Sequence, residues 1–338
     1  MKCIVGLSGG VDSSTSAAIM KEKGVEVIGC TFKMMESKNT ASAIQDAQKV
    51  ADFLKINHIV IDCVKDFKNY VIDYFIDSYK KGITPNPCVM CNKFIKFKHL
   101  ENVRLQQNAD LIVTGHYANL KKKNDRVELM QAVDLSRDQS YFLYRIDAEI
   151  LRHVKFPLGD NSKTYTRELA RKFGIHVAEK SDSQDVCFIP NGDYVGFIQN
   201  RSSELTESGD IVNEKGEILG KHDGIVNYTV GQRKGLGLAG GPFFVSALDA
   251  QKNRVIVSNK SGIGKKQILL RDVVFINEPY LGSCEVKIRS TTQKISAEII
   301  QNSGNYFVEL FQSEYGIAPG QHCVFYIENI VLGGGVIC

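Results

Sequence analysis

The chain has 338 residues, 43% of them hydrophobic and 24% charged, with a formal net charge of +4. These are the values of a soluble globular protein long enough for two or three domains. The opening MKCIVGLSGG has neither the apolar run nor the small-residue cleavage site of a signal peptide. No later stretch approaches the roughly 20 apolar residues of a membrane span, which excludes a membrane partner and points to the cytoplasm. So small a charge neither demands nor excludes a nucleic-acid partner, and any footprint must lie in how the basic residues are distributed.

The first part alternates β-rich and helical runs: KCIVGLS, SSTSAAIMKEKG, VEVIGCTF, AIQDAQKVADFLK, HIVIDC, KFIKFKHLENVRLQQ and ADLIVTGHY. Such alternation predicts βαβ units and a mainly parallel sheet with helices on both faces. SKTYTRELARKFGIHVA reads as a further helix returning to the sheet. Near Asn200 the texture changes to polar turns and short β stretches, and from about Lys266 the runs KQILLRDVVFINE, CEVKIRS, ISAEIIQ, YFVELF and HCVFYIEN read as β only. The expected order is therefore an α/β domain over 1–200, a small β/α module over 201–264, and a C-terminal β-barrel or sandwich over 265–338.

In CIVGLSGGVDSSTSAAIM a strand ends at Ser8, Gly9 and Gly10, and a helix starts at about Asp12 to Ser14. Two adjacent glycines let the backbone turn tightly and aim its N–H groups at a ligand, while the helix N-terminus adds positive potential, so a pyrophosphate fits there. Ser8, Ser13 and Ser14 offer hydroxyl donors, and Asp12 offers a ligand for Mg2+. The spacing and the lysine of the Walker A loop are missing. The plainer reading has Ser and Asp merely capping a helix after a turn. GLGLAG, from Gly235 to Gly240, fits a dinucleotide fingerprint by letter, but GPFFVSAL follows where such a site needs a helix, so it reads as a loop.

In a reducing compartment the nine cysteines are expected to be buried, catalytic or metal-binding rather than paired. Cys3, Cys30, Cys63, Cys284 and Cys323 lie in apolar β runs and read as small buried hydrophobes. Cys88 and Cys91 follow TPNP, which cannot be regular helix, and precede NKFIKFKHLENV, which can. A thiol at a helix start beside Lys93 is expected to have a lowered pKa and to be nucleophilic and metal-seeking. Cys187, in SDSQDVCFIP, reads as a loop thiol. A structural zinc site would want four ligands, with His99 or His116 completing the set, and a thioredoxin-like role fails on context.

With these motifs on one chain, the sequence resembles the tRNA-specific 2-thiouridylase family, within the PP-loop ATP pyrophosphatase superfamily, over essentially its whole length. The matching stretches are GLSGGVDSS, TPNPCVMCNKFIKF, TGHYA, SRDQSYFLYRI, FPLGD, SDSQDVCFIP, GKHDGIVNYTVGQRKGLGL and APGQHCVFY. The resemblance implies an N-terminal PP-loop, adenine nucleotide alpha hydrolase-like domain, a central tRNA-binding module and a C-terminal β-barrel. It implies that Gly6, Leu7, Ser8, Gly9, Gly10, Val11, Asp12, Ser13 and Ser14 hold ATP, with Phe32 and Gly115 near the adenosine. ATP with Mg2+ would adenylate the C2 oxygen of a wobble uridine. Cys187 would receive sulfur as a persulfide from a cysteine desulfurase or relay protein, and Cys91 would release it, leaving a transient disulfide.

Where many relatives have Asp, this chain has Cys88. That change puts a general-base role in doubt and raises the alternative that Cys88, Cys91 and Cys187 hold a [4Fe–4S] cluster with one open iron. Asn86, Pro87 and Cys88 match the segment that approaches the target base, and Arg137, Asp138 and Gln139 one that touches tRNA. His116, Arg289, Ser290 and Gln321 are weaker matches. Lys80, Lys81, Lys93, Lys96 and Lys98 surround the cysteine segment and could meet phosphates, whereas KKKNDR at 121–126 reads as a hairpin. The competing functions are a PP-loop synthetase adenylating a small molecule and a non-catalytic, metal-stabilised RNA-binding module; neither uses both motifs.

Overall fold

The computed structural model describes residues 1–124, 126–177, 186–189 and 192–338. Its first layer is a five-stranded sheet in the order β3-β2-β1-β4-β7, formed by β1 (Lys2–Gly6), β2 (Glu26–Lys33), β3 (Asn57–Asp62), β4 (Leu111–Val113) and β7 (Val154–Lys155). Every pairing in it is parallel. Cys3, Ile4 and Val5 are fully buried, as expected of a central strand covered by helices on both faces. The chain leaves β1 in one direction and returns at β4 in the other, so the crevice at the carboxyl ends of β1 and β4 is the switch point where such sheets bind ligands.

Helix α1 (Val11–Glu22) follows β1 directly. Helix α2 (Lys38–Leu54) is started by Ser37, whose hydroxyl accepts from Thr40 N–H. Two further helical runs carry π turns. One comprises Val64–Phe67, Lys68–Asp73 and Tyr74–Lys80, and the other Pro87–Cys91, Asn92–Phe97 and Lys98–Gln106. Tyr70 and Phe94 stack between them, with centroids 4.7 Å apart and planes at 11°.

The second sheet, β10-β11-β8-β9, is formed by β8 (Gly209–Asn213), β9 (Ile218–His222), β10 (Phe244–Asp249) and β11 (Arg254–Ser258). Gly235, Gly237 and Gly240 have positive φ and lead into a strand, as expected of a loop. The third sheet is closed: β12 (Lys265–Phe275), β15 (Asn305–Glu314), β14 (Ile295–Asn302), β13 (Gly282–Lys287), β16 (His322–Ile327) and β17 (Ile330–Ile337) pair in that order, and β17 returns to β12. Closure leaves the barrel without free edges. One feature is invisible in the sequence pattern. The hairpin of β5 (Asn119–Lys123) and β6 (Arg126–Met130) leaves the first domain and pairs with β17, so Ile4, Leu129, Val324 and Tyr326 share one core.

Candidate functional site: a nucleotide cavity walled by thiols

A cavity of about 730 Å³ opens at the carboxyl ends of β1, β2 and β4, within the usual size range of ligand pockets. Its wall includes Gly6, Leu7, Ser8, Gly10, Val11, Asp12 and Ser13 from the loop after β1, Phe32 from β2, and Gly115 and His116 after β4. Gly9 and Ser14 do not face it. Gly9 holds φ +71 and lies so close to Asp46 and Ala47 of α2 that a Cβ would meet them at 2.9–3.0 Å, which is why glycine is needed there. Ser14 is fully buried and its hydroxyl donates to Gly10 O at 2.8 Å. Ser8 N–H donates to Ser13 Oγ at 3.1 Å, so the serines also brace the loop.

The Asp12 carboxylate is already engaged. Lys163, the first residue of a helix spanning Lys163–Lys172, donates to both oxygens at 2.7 Å, and Tyr117 O–H donates to one at 3.0 Å. Lys163 is only 9% exposed and lines the cavity. It is a functional candidate that sequence reasoning missed. It stands about 150 residues away in the chain, and its only local signal was a position just after the helix cap Ser162.

The cysteine segment differs from expectation in two respects. First, the helix begins earlier: Asn86 Oδ1 accepts from Val89 N–H, and Pro87, with φ preset, is the first helical residue. Cys88 and Cys91 therefore sit inside its first turns. Second, their pKa values move up rather than down. Burial pushes Cys91 to about 12, and protein packed around the sulfurs likewise raises Cys88 and Cys187, although both residues are exposed and Cys187 faces the cavity. Protein packed around sulfur makes its charged form costly, and this outweighs the helix N-terminus.

The positive neighbour that opposes the effect at all three thiols is Lys96, not Lys93, which pairs with Asp147 at 3.5 Å. Lys96 and Cys187 both line the cavity. Cys91 and Phe188 share a core, in which the Phe188 ring meets Phe67 and Phe75 edge-on at 5.5 Å, so the segment carrying Cys187 docks against the helix carrying Cys91. All nine cysteines are free, and Cys3, Cys30, Cys63, Cys284 and Cys323 are buried as expected. His116 donates or accepts at Thr114 Oγ1, 2.8 Å away, and is held neutral by burial and by Lys96, its pKa lowered to about 3.

Other expected contact residues have structural work. Asp138 accepts from Gln131 Nε2, Ala132 N–H, and the N–H and hydroxyl of Ser140. Gln139 Oε1 accepts from Tyr117 N–H at 2.9 Å, and both Gln139 and exposed Arg137 face the cavity. Arg289 Nη2 donates to Val230 O and Gly316 O, joining the central sheet region to the barrel, and Ser290 lies half-buried in the bend after β13. Gln321 Nε2 donates to Thr84 O and Pro85 O at 3.4 and 3.3 Å, so the barrel clasps the segment leading to Asn86. Lys80 pairs with Glu204, Lys98 lies over the Tyr70 ring, and Lys81 is exposed.

Neither zinc candidate joins the cysteines in a ligand set: His99 pairs with Asp66 at 3.0 Å and His116 with Thr114. Among the described residues no group of three His, Cys, Asp or Glu side chains is arranged to hold a metal ion. Cys88, Cys91 and Cys187, all among the described residues, do not form such a group, so the thiols as placed do not fit an iron–sulfur cluster held by all three. Among the described residues no helix is long and apolar enough to cross a membrane.

A parallel sheet carrying a glycine–serine loop at its switch point defines an ATP-utilising PP-loop protein. Family models match three consecutive stretches, described as a tRNA methyl transferase HUP domain over 1–191, a tRNA methyl transferase PRC-barrel domain over 196–259 and an aminomethyltransferase beta-barrel domain over 265–337. Curated relatives include the tRNA-specific 2-thiouridylase MnmA of Afipia carboxidovorans, 42% identical over 99% of this chain and 91% of its own. MnmA 1 of Clostridium tetani is 40% identical over 99% and 96%. The chain belongs to the tRNA-specific 2-thiouridylase family. Among solved structures, the U34-tRNA thiolase NcsA from Methanococcus maripaludis with its [4Fe-4S] cluster is similar at 21% identity and TM-score 0.37, covering 52% of this chain and 58% of that one. A 4-thiouridine synthetase–RNA complex with bound ATP is similar at 18% and 0.37, covering 59% and 50%. Both are too distant to carry chemistry across.

Proposed function

We propose that this chain is a tRNA 2-thiouridine synthase: it activates the C2 oxygen of a wobble uridine with ATP and replaces it with sulfur passed through Cys187 and Cys91. The observation that carries the reading is the common wall. The PP-loop residues, Lys96 and Cys187 line one space. The loop N–H groups and Lys163 neutralise the phosphates, and Gly115 and Phe32 lie beside the adenosine. Magnesium arriving on ATP would have Asp12 as its carboxylate ligand and would add to the neutralisation of phosphate charge. The uridine oxygen attacks the α-phosphate and pyrophosphate leaves, which turns that oxygen into part of a good leaving group, AMP.

Sulfur arrives on Cys187 as a persulfide from a cysteine desulfurase or a relay protein. Cys91 attacks the inner sulfur, a Cys91–Cys187 disulfide forms, and hydrosulfide leaves with the electron pair of the broken S–S bond and the Cys91 proton. Hydrosulfide attacks C2 and expels AMP, and a dithiol reductant returns the disulfide to two thiols. We assign the approach of the target base to the segment Asn86, Pro87 and Cys88, of which Cys88 is exposed, and the target suits an anticodon loop whose bases are already exposed. We assign ATP and sulfur chemistry to 1–200, tRNA binding to 201–264 and the clasp on the cysteine segment to 265–338. Methyl transfer, which the family-model descriptions suggest, leaves the thiols without work. So does a synthetase for a small molecule.

The test is a pair of variants, Cys91→Ser and Cys187→Ser. Each retains tRNA-dependent pyrophosphate release and loses 2-thiouridine. Full 2-thiouridine formation by either one would overturn the scheme.

A further inference from the structure

Lys96 is the one lysine of the cysteine helix that turns toward the nucleotide cavity. Its place follows from the π turn over Asn92–Phe97. In a regular α-helix a residue five positions on points about 140° away. The extra residue of a π turn takes back roughly 100°, so Cys91 and Lys96 face each other like an i, i+4 pair. No carboxylate forms an ion pair with Lys96 among the described residues, whereas Lys93 has Asp147 and Lys80 has Glu204.

The groups around it are known from each packed element. Its own helix supplies Cys88 and Cys91, the 186–189 segment supplies Cys187, the turn after β4 supplies neutral His116, and the helix after β3 supplies Cys63 behind Cys91. The carboxylates beside Cys63 are committed elsewhere, Asp66 to His99 and Asp62 to Lys33 and Val64 N–H. A half-buried cation without a carboxylate, set among three thiols, needs an anion to complete it.

We infer that Lys96 is the counter-charge for the sulfur anions of this site, holding the thiolates of Cys91 and Cys187 and the persulfide carried on Cys187 beside the nucleotide cavity. The persulfide part rests on the thiolation reading; the thiolate part does not. In the transfer step one negative charge is present throughout, first on the Cys187 persulfide and then on the departing hydrosulfide. A fixed ammonium therefore stabilises both ends of the step without reorganising. Burial opposes charge on every one of these sulfurs, and Lys96 is the largest influence in the other direction. Lys96 thus acts as a positioning residue for charge, keeping hydrosulfide close to the activated base.

The test reads thiol reactivity in tRNA-free enzyme, so it stands whether or not the chain thiolates tRNA; failure of the thiolation reading shows separately as absence of 2-thiouridine. Alkylation by iodoacetamide is followed between pH 6 and 10 by peptide mass spectrometry, with buried Cys63 and Cys323 as internal monitors of loosening. Lys96→Met is expected to move the profile of exposed Cys187 up by about one pH unit and to slow its labelling near pH 7.5 about tenfold. Lys96→Arg is expected to keep it near the parent. Coincident profiles for parent and Lys96→Met, with Cys63 and Cys323 still protected, overturn the inference. Should Lys96→Met expose Cys323, the parent alone decides. Anionic iodoacetate is then compared with neutral iodoacetamide, and the ratio of their rates must be several-fold higher at Cys187 than at Cys338; equal ratios overturn the inference.

Discussion

Replacing Gly115 by alanine tests whether the turn after β4 and the loop after β1 form one phosphate-binding unit. A Cβ at Gly115 would lie 2.7 Å from the Asp12 carbonyl carbon and from Ser13 N. Both are main-chain atoms at the start of α1, so no side chain can swing aside. Ordinary contact begins near 3.4 Å, and relief requires a shift of about 0.7 Å between the two segments. Overpacking of this kind costs about 1–3 kcal/mol of stability. The larger effect is on chemistry, because a displacement near 1 Å of groups that position reacting atoms costs about 10²-fold in rate. The assay is tRNA-dependent pyrophosphate release, with thermal unfolding in parallel. Gly115→Ala is expected to lose about 10²-fold in pyrophosphate release while melting only a few degrees lower. Release within twofold of the parent would refute the placement of Gly115 against the loop.

Other consequences follow from single contacts. Lys163→Met strips Asp12 of its bidentate partner and removes a cation from the phosphates, so ATP affinity measured by calorimetry is expected to fall at least tenfold, with Lys163→Arg recovering part of it. Gly320 has φ +88, and a Cβ there would strike Ile83 and come within 2.9 Å of Thr84 O; Gly320→Ala is expected to destabilise the clasp by about 2 kcal/mol or more in urea unfolding. His322 is buried against Tyr144 O–H at 2.7 Å, and burial lowers its pKa to about 3. Between pH 6.5 and 3 the unfolded chain binds a proton that the folded one refuses, so stability falls as pH drops through this window. Going from pH 7 to 5 should cost about 2 kcal/mol through His322, and His322→Gln should lose that much less; an unchanged difference would contradict the burial argument.

The order of the fold was legible because its signals are local. Continuous apolar runs marked strands buried on both faces, and SGG before a helix marked the phosphate loop. The rejection of GLGLAG rested on the strand after it, which is β10. What the linear pattern could not show was depth. Cys91 beside Lys93 looked like an activated thiol, yet burial decides its charge, and the π turn presents Lys96 instead. Lys163 escaped notice because the partner that reveals it, Asp12, lies at the other end of the domain. The resemblance makes Asp138, Arg289 and Gln321 RNA contacts; what it could not show is that Asp138 also holds Gln131, Ala132 and Ser140, and that Arg289 and Gln321 donate to main-chain carbonyls. The β5–β6 hairpin was readable from KKKNDR, but its pairing with β17 was not, since edge pairing leaves no periodic trace.

The most direct test of the account is to incubate metal-chelated, iron-free enzyme with magnesium-ATP, unmodified tRNA and a persulfide-generating desulfurase, and to measure 2-thiouridine by nucleoside mass spectrometry. The account predicts 2-thiouridine, with AMP and pyrophosphate formed in step with it. No product, with activity restored only by anaerobic iron–sulfur reconstitution, would contradict it and would assign Cys88, Cys91 and Cys187 to a cluster.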